Sequence, residues 1–244
     1  MFELEFCKKF NIVSYQLEKR FYSKKNEVAL YSFCDAKNNL KKWVVKHFSS
    51  PRRCRKEAKV LKILSSSGLA VPGIIYSTNH CIIMEYIQGE TLLAWLEKSE
   101  QTAAPVAGTT GLLTALASWL QDAYQALHRA YGHSMILGDV NLRNFILSEC
   151  IYGLDFEECR AGSPEEDLGR LCAFVLTYNP GFTLWKYRFV AAIKNVIAAE
   201  LNLSWQRVFT EMLKELEQMS KRRNEQNMQA ALRGNEHGFR LISP

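Results

Sequence analysis

The sequence predicts an α+β protein of two lobes: a five-stranded antiparallel sheet with one helix, followed by a mainly helical lobe. Three observations predict it. Residues 11–48 hold three β-branched and aromatic runs separated by short turns; a helical period then intervenes before two more strand-like runs end near Met84; beyond residue 111 the long apolar segments follow helical spacing. Charge divides at the same place. Residues 1–84 carry 16 Lys/Arg against 6 Asp/Glu, a net of +10, and since the whole chain is +6 the remainder is −4. The expected organisation is an N-terminal lobe at 1–84, a hinge with its following helix at 85–98, and a C-terminal lobe at 99–244 that ends in a basic tail.

Taken in order, "NIVSYQLEKRF" partly alternates, "NEVALYSF" is β-branched and aromatic, and "LKKWVVKHF" ends in a short buried run. The breaks "YSKKN" and "DAKNN" are turn chemistry, so these three strands form an antiparallel meander. "SSPRRCRKEAKVLKILSSSG" has a capping Ser49 or Ser50, Pro51 for the first turn, and Ala58, Leu61 and Leu64 on one face before Gly68: one helix packed on the sheet. "GIIYS" and "HCIIMEY" complete the five strands, and a helix follows the break at Gly89. The small polar stretch 99–111 is expected to be a mobile loop. Leu113, Leu116, Leu120, Tyr124 and Leu127 then mark a long core helix, and helical segments run from about Asp167 to Met228.

Several classes are excluded or disfavoured. No apolar run approaches the roughly 18 residues of a membrane span, and "MFELEFCKKF" carries acids without the apolar stretch of a secretory signal. Seven dispersed cysteines without a CxxC favour reduced thiols and a cytoplasmic protein over a disulfide frame or zinc site. The basic first lobe suits polyphosphate, nucleic acid or an acidic surface, with a solvated basic face as the plain alternative. No aromatic spacing marks a single-strand nucleic-acid platform.

The chemistry-bearing residues lie in strand-rich surroundings. Lys46 closes the third strand and Glu57 sits in the lone helix; alone, the first reads as a snorkelling surface lysine and the second as an ordinary exposed glutamate. As a pair they have another reading, since a carboxylate on a helix can hold an ammonium on the neighbouring strand towards an anion. The stretch "ILGDVNLRNFIL" bunches Asp139, Asn141, Arg143 and Asn144 between apolar runs, and Asp155 follows in "GLDFE". Asp139, Asn144 and Asp155 can converge on one point, as oxygen ligands too few for a full cage but suited to Mg²⁺ completed by phosphates.

Lys46, Glu57, "MEYIQGETL", "GDVNLRN" and "LDFE" come in an order and approximate spacing that resembles the protein-kinase-like superfamily, most of all its compact members, the aminoglycoside and choline phosphotransferases and the small atypical RIO-type kinases. "KEAKVLKILSSSGLAVPGIIY" and "EEDLGRL" extend the resemblance, which covers about residues 12–180. It implies the two-lobed kinase-like fold, with ATP and Mg²⁺ as cofactors. Lys46 would hold the α- and β-phosphates and Glu57 would orient it; Glu85 to Ile87 would be the hinge meeting adenine; Asp139 would orient or deprotonate the acceptor hydroxyl; Asn144 and Asp155 would bind Mg²⁺. Asp167 resembles the aspartate that anchors the catalytic-loop backbone, with a helix N-cap as its other reading.

The sequence departs from the family pattern in three places. The first hairpin, "FYSKKNE", has no glycine to bring backbone against phosphate, leaving Lys24 and Lys25 as charge or as plain surface lysines. Leu137 stands where histidine is frequent, and Phe156-Glu157 follows Asp155 in place of Phe-Gly. Only the eleven residues 156–166 separate Asp155 from Asp167, too few for a peptide-docking segment, so the expected acceptor is a hydroxyl of a small molecule, glycan or lipid headgroup. A pseudokinase scaffold and an atypical protein kinase acting on a protein or RNA-associated partner through the basic lobe and tail are the alternatives. Arg143 reads equally as a phosphate contact or a loop salt bridge, and the cluster "PGFTLWKYRF" as core or as site lining.

Overall fold

Each of the first three β-rich runs becomes a strand in the computed structural model, which describes residues 4–23, 25–223 and 236–244: β1 (Ile12–Phe21), β2 (Asn26–Asp35) and β3 (Leu40–Phe48). With β4 (Ile74–Ser77) and β5 (Cys81–Glu85) they form an antiparallel sheet of order β1-β2-β3-β5-β4. The alternation in these strands divides the apolar residues between two faces. Phe33, Trp43, Val45 and Ile83 bury together on one; Phe48, Ile82 and Met84 bury on the other, with Cys54 of helix α2 (Pro51–Ser66).

Two details of this region differ from the sequence expectation. The chain opens with a further helix, α1 (Leu4–Lys9), too short for its period to register, whose Phe6 packs edge-on against Phe33 and Trp43. Ser50 does occupy the N-cap position of α2 with Pro51 at the first turn, but its hydroxyl makes no capping bond. The expectation about Lys24 lies outside the described residues.

The chain divides into two units, Met1–Gln88 and Gly89–Pro244. The second contains α3 (Leu92–Gln101), α4 (Thr110–Tyr131), α5 (Pro164–Thr177), α6 (Leu184–Ile193, continued by a π-turn at Lys194–Ala198), α7 (Trp205–Arg223) and α8 (Glu236–Ile242). Small strands sit among them: β6 (Glu90–Thr91), β8 (Phe145–Leu147) and β9 (Ile151–Gly153) form one sheet of order β6-β8-β9, and β7 (Met135–Ile136) pairs with β10 (Arg160–Ala161). The expected core face of α4 is buried through Leu113, Leu116, Leu120 and Leu127.

The stretch 99–111 is not the loop expected. α3 runs through Gln101 and a 3₁₀ turn covers Val106–Thr109, so only residues 102–105 lie outside helical structure, and side chains at the start of α6 bond Glu100 and Ala104. Trp185 Nε1 donates to the Ala104 carbonyl at 2.8 Å, the Thr183 hydroxyl bonds the Glu100 carboxylate, and the Lys186 ammonium pairs with Glu100 at 2.7 Å. Lys186 is fully buried and also donates to the carbonyls of Tyr178 and Pro180. Small polar composition described this segment's own surface but not the partners supplied from eighty residues away. Of the basic tail, residues 224–235 lie outside the described residues, and the remainder ends in α8. Among the described residues no helix is long and apolar enough to cross a membrane, and all seven cysteines are free thiols.

Candidate active site

In the N-terminal unit the chemistry centres on a carboxylate in an apolar stripe. Cys54, Glu57, Val60, Leu61 and Leu64 are the buried residues of α2, at the i, i+3, i+4, i+7 spacing of a face laid on a sheet. Glu57 therefore points inward, and its Oε2 lies 2.7 Å from Lys46 Nζ on β3, with side chains 2% and 6% exposed respectively. Burial of that order is sustainable only because the charges are paired. The ammonium also stands 4.9 Å from the centre of the Phe48 ring, a further favourable contact for a desolvated cation. One turn before Glu57, burial and then the Glu57 charge push the Cys54 thiol up to about 11, so it stays protonated and donates to the Thr78 carbonyl.

Glu85 ends β5, and Ile87 stands two residues on, just before the unit boundary. The carboxylate of Glu85 accepts from the Gly73 N–H at 2.9 Å, while its own N–H donates to the Gly73 carbonyl at 3.0 Å. That pair of bonds fixes the end of β5 against the chain entering β4.

In the C-terminal unit the loop of residues 137–144 is held from three sides. Asp167 on α5 is the first holder: its two carboxylate oxygens accept from the N–H of Leu137 at 2.8 Å and of Gly138 at 2.9 Å, and the Tyr124 hydroxyl of α4 donates to it at 3.1 Å. Ser163, not Asp167, holds the N-cap position of α5, where its N–H donates to Glu166 Oε1 at 2.9 Å. Burial pushes the Asp167 carboxyl up to about 6, against Leu137, Gly138, Tyr124 and Arg170, all of which favour its charged form. Gly138 has φ +79°, and a Cβ there would strike the Glu158 carbonyl, so glycine is required next to Asp139.

Asn144 is the second holder. Its Nδ2 donates to the Asp139 carbonyl at 2.9 Å, and its own carbonyl accepts from the Leu154 N–H at 2.8 Å. A carbonyl can only accept, so the amide must present its NH₂ to Asp139, which turns Oδ1 away as an oxygen donor. Leu154 immediately precedes Asp155, whose φ is +61°; the next residue, Phe156, is buried and stacks on Trp119 at 6.3 Å. Asn144 thus ties the Asp139 loop to the Asp155 turn through one side chain and one carbonyl.

The third holder is Tyr178, whose hydroxyl accepts from the Leu142 N–H at 3.2 Å and is pushed well up by burial, so it remains neutral. Arg143 lies with its guanidinium 5.8 Å over the Tyr178 ring, a placement neither sequence reading of Arg143 described. Asn141, read only as one of the bunched polar groups, accepts from the Arg143 N–H at 3.0 Å and shapes the turn.

Sequence reasoning also missed Arg170 and Glu215. Arg170 bonds the Gly138 carbonyl and, at 2.9 Å, the Glu215 carboxylate of α7. The missed signal resembles that at Glu57: Glu215 falls on the stripe Val208, Met212, Met219, where an apolar residue belongs.

A family model for the RIO domain matches residues 7–157, more than half of the chain and all of the elements from β1 to the Asp155 turn. The chain belongs to the RIO-domain family. Outside that matched span, this RIO-domain protein has α5 to α8. Over 115 residues, 47% of its length, it is 30% identical to the EKC/KEOPS complex subunit BUD32 of Encephalitozoon cuniculi (strain GB-M1). Those residues cover 51% of that protein, so the RIO-domain chain spans about half the length of this curated relative. Among solved structures it is similar to the amicoumacin kinase hAmiN in complex with AMP-PNP, Ca²⁺ and Ami, with TM-score 0.59 and 13% identity over 86% of this chain and 81% of that one. It is also similar to WaaP in complex with acyl carrier protein, with TM-score 0.56 and 15% identity over 89% and 98%. At these identities the likeness is one of fold, and the fold is kinase-like.

Proposed function

We propose that this RIO-domain protein is a phosphotransferase that moves the γ-phosphate of ATP to a hydroxyl of a small molecule, glycan or lipid headgroup. The observation that carries the reading is the construction of the 137–144 loop. A buried carboxylate, a buried tyrosine hydroxyl and an asparagine are all committed to its backbone, while the Asp139 side chain is left partly exposed. Such fixation suits a reaction in which positioning and electrostatics supply most of the catalysis.

In the N-terminal unit, Lys46 takes the α- and β-phosphates and Glu57 keeps its ammonium aimed; Glu85 and Ile87 supply backbone groups to adenine. In the C-terminal unit, Asp139 orients the acceptor hydroxyl and takes its proton on the carboxylate. Asn144, whose Oδ1 is not used by the Asp139 carbonyl, and Asp155 offer two oxygen donors, a set that fits Mg²⁺ retaining waters and phosphate oxygens. When bound, that ion neutralises charge on the phosphates. The AMP-PNP and Ca²⁺ held by the amicoumacin kinase support a nucleotide and a divalent cation here. Seven free thiols support a reducing, cytoplasmic setting.

The short passage from Asp155 to α5, occupied by β10 and the Ser163 cap, supports a small acceptor over a docked peptide. A second reading, a kinase working on or within a protein complex, draws on the likeness to BUD32, itself named as a complex subunit. The test is nucleotide binding and turnover in parallel. Wild type is expected to gain roughly 2.7 kcal/mol of stability at a hundred times the dissociation constant of Mg·ATP, Asp155→Ala to lose that gain, and Asp139→Asn to keep it while losing transfer. Full transfer by Asp139→Asn sinks the assignment, and phosphate delivered only to a co-purifying protein selects the second reading.

A further inference from the structure

Gly138 is gripped on both sides from one helix. Its N–H donates to Asp167, and its carbonyl accepts from Nη1 of Arg170, three residues later on the same face of α5. The Arg170 guanidinium also comes within 3.8 Å of Asp139 Oδ1. Its other nitrogen, Nη2, donates to Glu215 Oε2 at 2.9 Å, and Glu215, 7% exposed, accepts from Arg222 through its second oxygen. The planar fork is thus filled at one end by α7 and at the other by the loop.

We propose that Arg170 is a positioning residue for Asp139, with Glu215 of α7 fixing the direction of its guanidinium. The proposal rests on the reading of Asp139 as the residue that engages the acceptor hydroxyl. Two features separate it from ordinary packing of α5 on α7. A guanidinium spends one arm on the carbonyl that immediately precedes Asp139, so movement of α7 at Glu215 is transmitted to the reacting group through two hydrogen bonds. Both Arg170 and Glu215 also lie beyond residue 157, where the family match ends, so this control belongs to the part of the chain outside the shared domain. A lysine at 170 would retain the charge but could not span both partners, because its donors all sit on one nitrogen at the end of a shorter side chain, whereas Arg170 presents Nη1 to one partner and Nη2 to the other.

The experiment uses the full chain in four forms: wild type, Asp139→Asn as the inactive reference, Arg170→Lys and Glu215→Gln. Two quantities are read, hydrogen exchange of the amides at 137–144 and the kcat and KM of Mg·ATP hydrolysis with water as acceptor. Arg170→Lys is expected to speed loop exchange and to lower kcat by about tenfold or more, with the KM for ATP within about twofold, since small misplacements at a reacting group cost rate rather than binding. Glu215→Gln is expected to lower kcat by a smaller factor, and the double variant to be no worse than Arg170→Lys alone, as for residues acting in series. Unchanged loop exchange in Arg170→Lys, or a raised KM with wild-type kcat, overturns the proposal. A wild type that hydrolyses no ATP, with a loop that Arg170→Lys still loosens, instead brings down the phosphotransferase reading and the positioning role with it; the exchange data tell the two failures apart.

Discussion

Replacing Asp167 with asparagine sets two opposing effects against each other, and their difference depends on pH. The carboxyl stands at about 6 in the folded protein against an ordinary value of 3.8, raised chiefly by burial. At about 1.36 kcal/mol per pH unit, that gap makes the buried charge cost roughly 3 kcal/mol at neutral pH. Asparagine removes this cost. It also places an NH₂ where a carboxylate oxygen stood, so the N–H of either Leu137 or Gly138 is left without an acceptor, a loss of about 1–3 kcal/mol. At pH 7 the two nearly cancel, and the variant is expected to unfold within about 2 kcal/mol of wild type although its loop has lost a fixing bond. A group raised above its unfolded value contributes stability that is fully present below the unfolded pKa and lost as pH rises through the folded one. Wild type therefore gains on the order of 2–3 kcal/mol from Asp167 between pH 7 and pH 4, a gain the variant lacks. Urea unfolding of both proteins at the two pH values measures this directly: the deficit of Asp167→Asn should widen by that amount on acidification. A deficit independent of pH, or one that narrows, refutes the argument.

Two further predictions concern the N-terminal unit. Lys46→Met strands the Glu57 carboxylate in a site 2% exposed and should cost about 3–5 kcal/mol, much of it recovered when Glu57→Gln is added; calorimetry of the single and double variants checks both. Phe6→Ala empties a fully buried site between Phe33 and Trp43 and should cost about 3–5 kcal/mol by chemical denaturation, showing that α1 belongs to the sheet's core and is not a loose extension.

What the sequence made legible was periodicity and its violations. Five strands and α2 follow from runs of period two and a switch to helical spacing, and the polar interruption at 139–144 marks the loop because apolar strands do not tolerate such groups without purpose. Asp167 could be read as an anchor because it resembles a known pattern, and its three bonds bear that reading out. Other features stayed hidden for physical reasons. α1 has six residues, fewer than two turns, so no stripe can develop. Tyr178 and Arg170 act on the loop through contacts across 36 and 32 residues, and such pairings leave no trace in local spacing. The stretch 99–111 is more ordered than its composition suggests, because composition reports a segment's own polarity, whereas Thr183, Trp185 and Lys186 bond it from the start of α6.

The ammonium of Lys186 carries a consequence for how this protein can change over time. Its partners are one carboxylate on α3 and two main-chain carbonyls before α6, and it has no exposure to water. Loss of Glu100 alone leaves a full positive charge in the interior; loss of Lys186 alone leaves a mostly buried carboxylate with no cation beside it, held only by the Thr183 hydroxyl, and takes a donor from two main-chain oxygens. Either single step lowers stability before the second can restore it, so the pair is expected to be inherited or exchanged together. Insertions that lengthen the chain between α3 and α4 meet the same barrier, which makes this joint a poor site for acquiring new segments and the exposed turn at 148–150 between β8 and β9 a better one.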